Sequence, residues 1–199
     1  MTTLSTIKKL SVIAAGATCL TLGAMNPAQA LNLVANGGFE TGNFSGWKQS
    51  GNSGHTGVDS ASAESGKFGA YFGPVGSKGF LSQTLATVKG KSYDLSYFLK
   101  NDGGKKPNFF SVSVGNTVLL SLEDFSSAFD FNKFTSTFTA TNTSTPLKFA
   151  FRQDSNKFRL DNVSVTATAI PTPALLPGLL GLGVGVLRKR KAAATAVEA

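Results

Sequence analysis

Tyr93-Asp94-Leu95-Ser96-Tyr97-Phe98-Leu99, closed by Asn101-Asp102-Gly103-Gly104, decides the fold class. Side chains alternate across a strand, so this spacing puts Tyr93, Leu95, Tyr97 and Leu99 on one face. The Asn-Asp-Gly-Gly that follows is turn chemistry. The same period recurs on both sides. Upstream it runs through Phe68–Phe72 and Phe80–Val88, downstream through Phe110–Val114, Val118–Leu120, Phe134–Phe138, Leu147–Phe151 and Phe158–Val165. Gly115-Asn116 between two of these runs reads as a hairpin. Nine to eleven short strands with turns between them predict an antiparallel sandwich rather than a βαβ fold. Only Glu123–Asp130 admits a helical turn.

Composition agrees. All 16 Phe fall between residues 31 and 170, where Gly, Ser, Thr and Asn are abundant. That mixture favours strands and turns, and most of the Phe residues are candidates for the core. About 140 residues are enough for one domain with a real core. The chain carries a net charge of +8, but Lys8, Lys9 and Arg188-Lys189-Arg190-Lys191 lie at its ends. Between residues 31 and 170 there are 13 Lys and Arg against 10 Asp and Glu, a net +3, with the cations scattered. A nucleic-acid partner is therefore not indicated.

The ends are addresses. Lys8-Lys9, the apolar run Leu10–Met25 and Ala28-Gln29-Ala30 form the three regions of a signal peptide, with cleavage expected after Ala30. Cys19 follows Ala17-Thr18 and belongs to the apolar region, so residues 31–170 contain no cysteine. At the other end, Ile170 to Leu187 is uncharged over 18 residues and is followed by Arg188–Lys191. Such a helix reaches roughly 27 Å, enough to cross a hydrocarbon core, and the cations hold its end inside.

Pro171-Thr172-Pro173-Ala174, the apolar span and the basic end together resemble the PEP-CTERM sorting signals cut by exosortases, in the variant with Thr between the prolines. The resemblance implies a temporary membrane anchor, N-out and C-in, cleaved near Pro171–Ala174 and followed by release to the cell surface or exterior. Signal peptidase and an exosortase-like enzyme are the implied processing partners. The expected organisation is a signal peptide helix (1–30), an all-β antiparallel jelly-roll β-sandwich (31–168), a sorting segment with a transmembrane helix at about 174–187 (169–191), and a disordered tail (192–199).

A second resemblance covers the domain. Asn32-Leu33-Val34-Ala35-Asn36-Gly37-Gly38-Phe39-Glu40-Thr41-Gly42 with Phe44-Ser45-Gly46-Trp47 looks like the opening of jelly-roll carbohydrate-binding modules of the galactose-binding-like type. Phe158-Arg159-Leu160-Asp161-Asn162-Val163-Ser164-Val165 looks like their last strand. The resemblance implies that these two segments are neighbours. It also implies a structural Ca²⁺ held by Glu40 and Asp161, with Asn36 or backbone carbonyls as helpers; the alternative is that Glu40 caps a turn and Asp161 accepts hydrogen bonds. An extracellular polysaccharide would be the partner, with Trp47, Tyr71 and Phe109 as the aromatic residues to stack on sugar.

Catalytic residues are not assigned. His55 is the single histidine, set in a Gly/Ser loop, and no Gly-x-Ser-x-Gly or HExxH occurs. The expectation is a non-catalytic surface or matrix protein that binds polysaccharide. A dedicated carbohydrate-binding module and a carboxylate-based glycan hydrolase stay open beside it.

Overall fold

The computed structural model describes residues 31–125 and 127–169. The signal region with Ala28 and Ala30, and the sorting segment with Pro171, Thr172, Pro173 and Ala174, lie outside the described residues. Among the described residues no helix is long and apolar enough to cross a membrane.

Ten strands follow one another: β1 (Lys48–Gly51), β2 (Thr56–Asp59), β3 (Gly69–Phe72), β4 (Gly79–Ala86), β5 (Ser92–Asn101), β6 (Asn108–Val114), β7 (Thr117–Glu123), β8 (Phe129–Thr139), β9 (Ser144–Gln153) and β10 (Phe158–Ala167). All pairings are antiparallel. The first sheet has the order β1-β4-β9-β6-β7 and the second the order β2-β3-β10-β5-β8. The all-β sandwich read from the alternation is the observed architecture. Tyr93, Leu95, Tyr97 and Leu99 are all buried in β5, as their spacing requires. Val114 pairs with Thr117 across Gly115-Asn116, which is the expected hairpin.

The Glu123–Asp130 helical turn does not form. Glu123 ends β7 and Phe129 already starts β8, where an irregularity in the β5–β8 register between Phe129 and Asn132 lets both Phe129 and Phe134 pack towards the core. The one helical turn described, of the 3₁₀ type, spans Ser60–Ser62 instead.

The two sheets meet in an aromatic core. Phe149 lies between Trp47, Tyr97 and Phe110, with ring centroids 6.1, 5.5 and 6.2 Å away. Phe72 and Phe151 approach to 4.0 Å across the sandwich.

The opening segment does run beside the last strand. Leu33 N–H donates to Val165 O, and Val163 N–H donates to Gly37 O. This explains the Asn-Gly-Gly-Phe spacing. A Cβ on Gly37 would lie 1.9 Å from the Val163 carbonyl oxygen, so only glycine lets the two main chains touch. Gly37→Ala is expected to cost about 1–3 kcal/mol through this clash. Urea unfolding reads it, and an unchanged midpoint would mean the segment is not seated on β10.

Candidate functional site

Two adjacent large apolar residues in a strand cannot both face the core. In β4 Leu81 is buried and Phe80 points outward, half-buried. In β6 Phe110 is buried and Phe109 points outward. Both belong to the outer face of the first sheet. Phe80 is in register with Ala150 of β9, which is in register with Ser111 of β6. Phe109 lies two residues before Ser111, so the two rings stand two strands apart and roughly 12 Å from each other. Ser82, Ser111, Ser113 and Ala150 are the small positions between and beside them, and Lys148 and Arg152 flank Ala150 on β9, Arg152 in register with Phe109. The face is a trough with an aromatic ring on either side.

Lysines reach over these rings. Lys78 Nζ lies 3.2 Å from the Phe109 centroid, and Lys148 Nζ lies 5.6 Å from that of Phe80. Phe109 also lines a recess of about 200 Å³ together with Lys78, Glu123, Asp124 and Arg152.

The outer face of the second sheet is partly covered. The 60–67 loop lies over β10, where Arg159 donates to Ala61 O and Ser62 Oγ and Asp161 accepts from the N–H groups of Glu64 and Ser65. Tyr71 is half-buried on this sheet, with Lys157 Nζ 4.0 Å from its ring centroid.

At the loop end of the sandwich a cleft of about 370 Å³ is lined by His55, Asp102, Asp154, Asn156, Lys157 and Arg159. Both of its acids are paired with arginines. Arg159 binds Asp102 at 2.8 Å, and Arg152 binds Asp154 at 2.7 Å through two donors. The Arg152 hydrogen bond holds the Asp154 carboxyl below its usual range.

Trp47 corrects an expectation. It is only 8% exposed, stacks on Phe39, and donates from Nε1 to Asn36 O at 3.1 Å. Its ring is core, because the Phe44-Ser45-Gly46 turn folds it under the opening segment, and no face is left for a sugar. Phe80, not singled out from the sequence, is instead the half-buried outward ring beside Leu81. The adjacent pair Phe80-Leu81 was the available signal.

Glu40 and Asp161 do converge. Gly38 sits against both, with a built Cβ 3.7 Å from Glu40 Cγ and 3.8 Å from Asp161 Oδ1. Asp161 is fully buried, and its carboxylate accepts from the N–H groups of Glu64, Ser65 and Asn162. Glu40 accepts from the N–H groups of Lys67 and Phe68. Burial pushes the Asp161 carboxyl up, the hydrogen bonds oppose this, and the Glu40 charge adds to it. Among the described residues neither carboxylate has a salt-bridge partner. A hard cation therefore fits the pair in charge. Its remaining ligands would have to be neutral oxygens, since no third His, Cys, Asp or Glu completes a cluster among the described residues. The Asn36 amide bonds Asn43 O and Ser45 O in its own turn, whereas Asn162 Oδ1 lies by Gly38.

A family profile described as a carbohydrate binding domain matches residues 31–161. The chain belongs to that family. This carbohydrate-binding domain is also similar in fold to solved structures. One is TmCBM61, in complex with β-1,4-galactotriose, at 17% identity over 69% of this chain and 99% of that one, TM-score 0.58. Another is the CBM22-1 xylan-binding domain of Paenibacillus barcinonensis Xyn10C, at 17% identity over 71% and 97%, TM-score 0.52. A third is a cyclase from Fischerella sp. TAU in complex with an indolyl butanone, at 22% identity over 72% and 100%, TM-score 0.53. At these identities only the sandwich is shared. No curated protein matches the chain.

Proposed function

We propose that this chain is an exported, non-catalytic protein that holds an extracellular polysaccharide in the trough between Phe80 and Phe109. The observation that carries the reading is the pair of half-buried rings on the open face of the first sheet, in a chain of a carbohydrate-binding family. Sugar rings offer apolar C–H faces to aromatic rings and hydroxyls to polar neighbours, and two platforms two strands apart engage separate sugars of one strand of glycan. Ser82, Ser111 and Ser113 supply hydroxyls along the floor. Catalysis by paired carboxylates has no support on this face. Asp154 is tied to Arg152, and Asp124 Oδ1 accepts from the Asn108 N–H.

Affinity electrophoresis in gels cast with polysaccharide tests the site. Wild type is expected to be retarded by at least one polymer, and Phe109→Ala to bind it about tenfold more weakly, equivalent to about 1.4 kcal/mol. Equal retardation of both proteins would remove the ring from the site.

The proposal includes the route outward. Signal peptidase cuts after Ala30. The segment after Ile170 then anchors the protein, N-out, in the inner membrane until an exosortase-type enzyme cuts near Pro171–Ala174 and frees the domain for the cell surface or exterior. Mass spectrometry of the mature protein is expected to show a C-terminus near those residues. A mature chain ending at Ala199 would leave a plain anchor. A structural Ca²⁺ between Glu40 and Asp161 completes the reading, neutralising two adjacent carboxylates and fixing the 60–67 loop to β10.

A further inference from the structure

We propose that the polysaccharide in the trough is acidic, its sugars bearing carboxylates or comparable anionic groups. The inference rests on the trough being the sugar site and adds the class of sugar. Lys48, Lys78 and Lys148 line the half of the face built by β1, β4 and β9. Lys48 is in register with Ser82, which is in register with Lys148, so two ammonium groups flank one small residue. Among the described residues the salt bridges are Lys100–Asp130, Arg152–Asp154 and Arg159–Asp102. None of the three trough lysines takes part. The acids on this side are Glu123, in register with Phe109 on the edge strand β7, Asp124 just after it, and Asp154 beside Arg152, so the excess of cations lies on the β1, β4 and β9 half of the face. No acid lies in register on β4 or β9 with Phe80, Ser82 or Lys148.

The position of the ammonium groups adds to their number. Lys78 Nζ sits 3.2 Å over the ring of Phe109, on the surface a sugar would stack against. A neutral sugar must displace it, forfeiting an interaction on the order of 0.5–1 kcal/mol at an exposed site. An acidic sugar gives the same amine a new partner. The ring takes the C–H face, and the ammonium swings to the carboxylate in a charge-assisted hydrogen bond. Lys148 stands in the same relation to Phe80 at 5.6 Å. Cation and platform thus come in pairs, spaced as the rings are.

The test titrates the full chain with polygalacturonate, alginate and hyaluronate, with the carboxyl-reduced form of each, and with poly-L-glutamate as an anionic polymer without sugar. At least one acidic polysaccharide is expected to bind about tenfold or more tightly than its reduced form. That affinity should fall in Lys78→Met and Lys148→Met, in Phe80→Ala and Phe109→Ala, and in about 1 M salt, where the screening length is about 3 Å. Equal or tighter binding of the reduced polymers, still lost in the Phe variants, overturns the acidic class and leaves the trough as the sugar site. Poly-L-glutamate binding as tightly as the polyuronates, with the Phe variants unaffected, reduces the face to non-specific charge. If no polymer of either kind binds, both the acidic class and the trough reading fail.

Discussion

Asp161→Ala is expected to destabilise the domain by about 3–5 kcal/mol, because it removes the charged acceptor of three part-buried backbone N–H groups, hydrogen bonds to a charged group being worth roughly 1.5–3 kcal/mol each. Those of Glu64 and Ser65 tie the 60–67 loop to β10, and that of Asn162 lies at the irregularity in the β10–β5 pairing. Asp161→Asn keeps an oxygen and should lose less. The pair of variants also reads the charge. Burial, with Glu40 beside it, raises the folded-state pKa of Asp161 above its unfolded value. A raised carboxyl contributes stability that is present below the unfolded value and lost as pH rises through the folded one. In chelator, the stability of wild type relative to Asp161→Asn should therefore fall as pH rises across that window. Asp130 and Asp154, whose pKa values are lowered, occur in both proteins and cancel in the difference. Added Ca²⁺ should raise the wild-type melting temperature at neutral pH and leave Asp161→Asn nearly unmoved. A wild-type midpoint unchanged by Ca²⁺ and chelator alike would remove the ion.

Phe149→Ala should match that loss from a different cause. Phe149 is fully buried where Trp47, Tyr97 and Phe110 meet. Truncation opens a cavity at the centre of both sheets, and buried Phe→Ala changes cost about 3–5 kcal/mol. Its value lies in the contrast with Phe80→Ala, one strand away and facing outward, where urea unfolding should show a small change and glycan binding a large one. If Phe80→Ala were as destabilising as Phe149→Ala, the ring would belong to the fold, and any loss of binding would say nothing about a site.

The sandwich was legible because alternation is a local signal. Leu95, Tyr97 and Leu99 carry it in β5, and Gly115-Asn116 marks its hairpin without help from the rest of the chain. The first two strands were not legible. Lys48–Gly51 and Thr56–Asp59 have no apolar alternation, and both are sheet-edge strands, β1 pairing only with β4 and β2 only with β3. Nor does any local pattern show that the connection from β8 to β9 passes from one sheet to the other, since partner choice depends on contacts distant in sequence.

The site was half legible for a related reason. Phe109 beside Phe110 and Phe80 beside Leu81 announce an outward ring in any strand. Phe109 was picked out and Phe80 was not. Trp47 misled because residue type suggests a platform, whereas its burial depends on the turn ahead of it and on Asn36 O as partner for its indole. Glu40 and Asp161 were brought together by resemblance. The roles of Asn162 and of the 60–67 amides depend on a loop whose path no local pattern encodes.

Amide chemical-shift mapping during titration with a polysaccharide that binds tests the central claim most directly. The account predicts shifts centred on Phe80, Ser82, Phe109, Ser111, Lys148 and Ala150 of the first sheet. Shifts centred instead on Ser96, Thr135 and Ser164 of the second sheet, or on Asp102, Asn156 and Lys157 in the loop-end cleft, would contradict it.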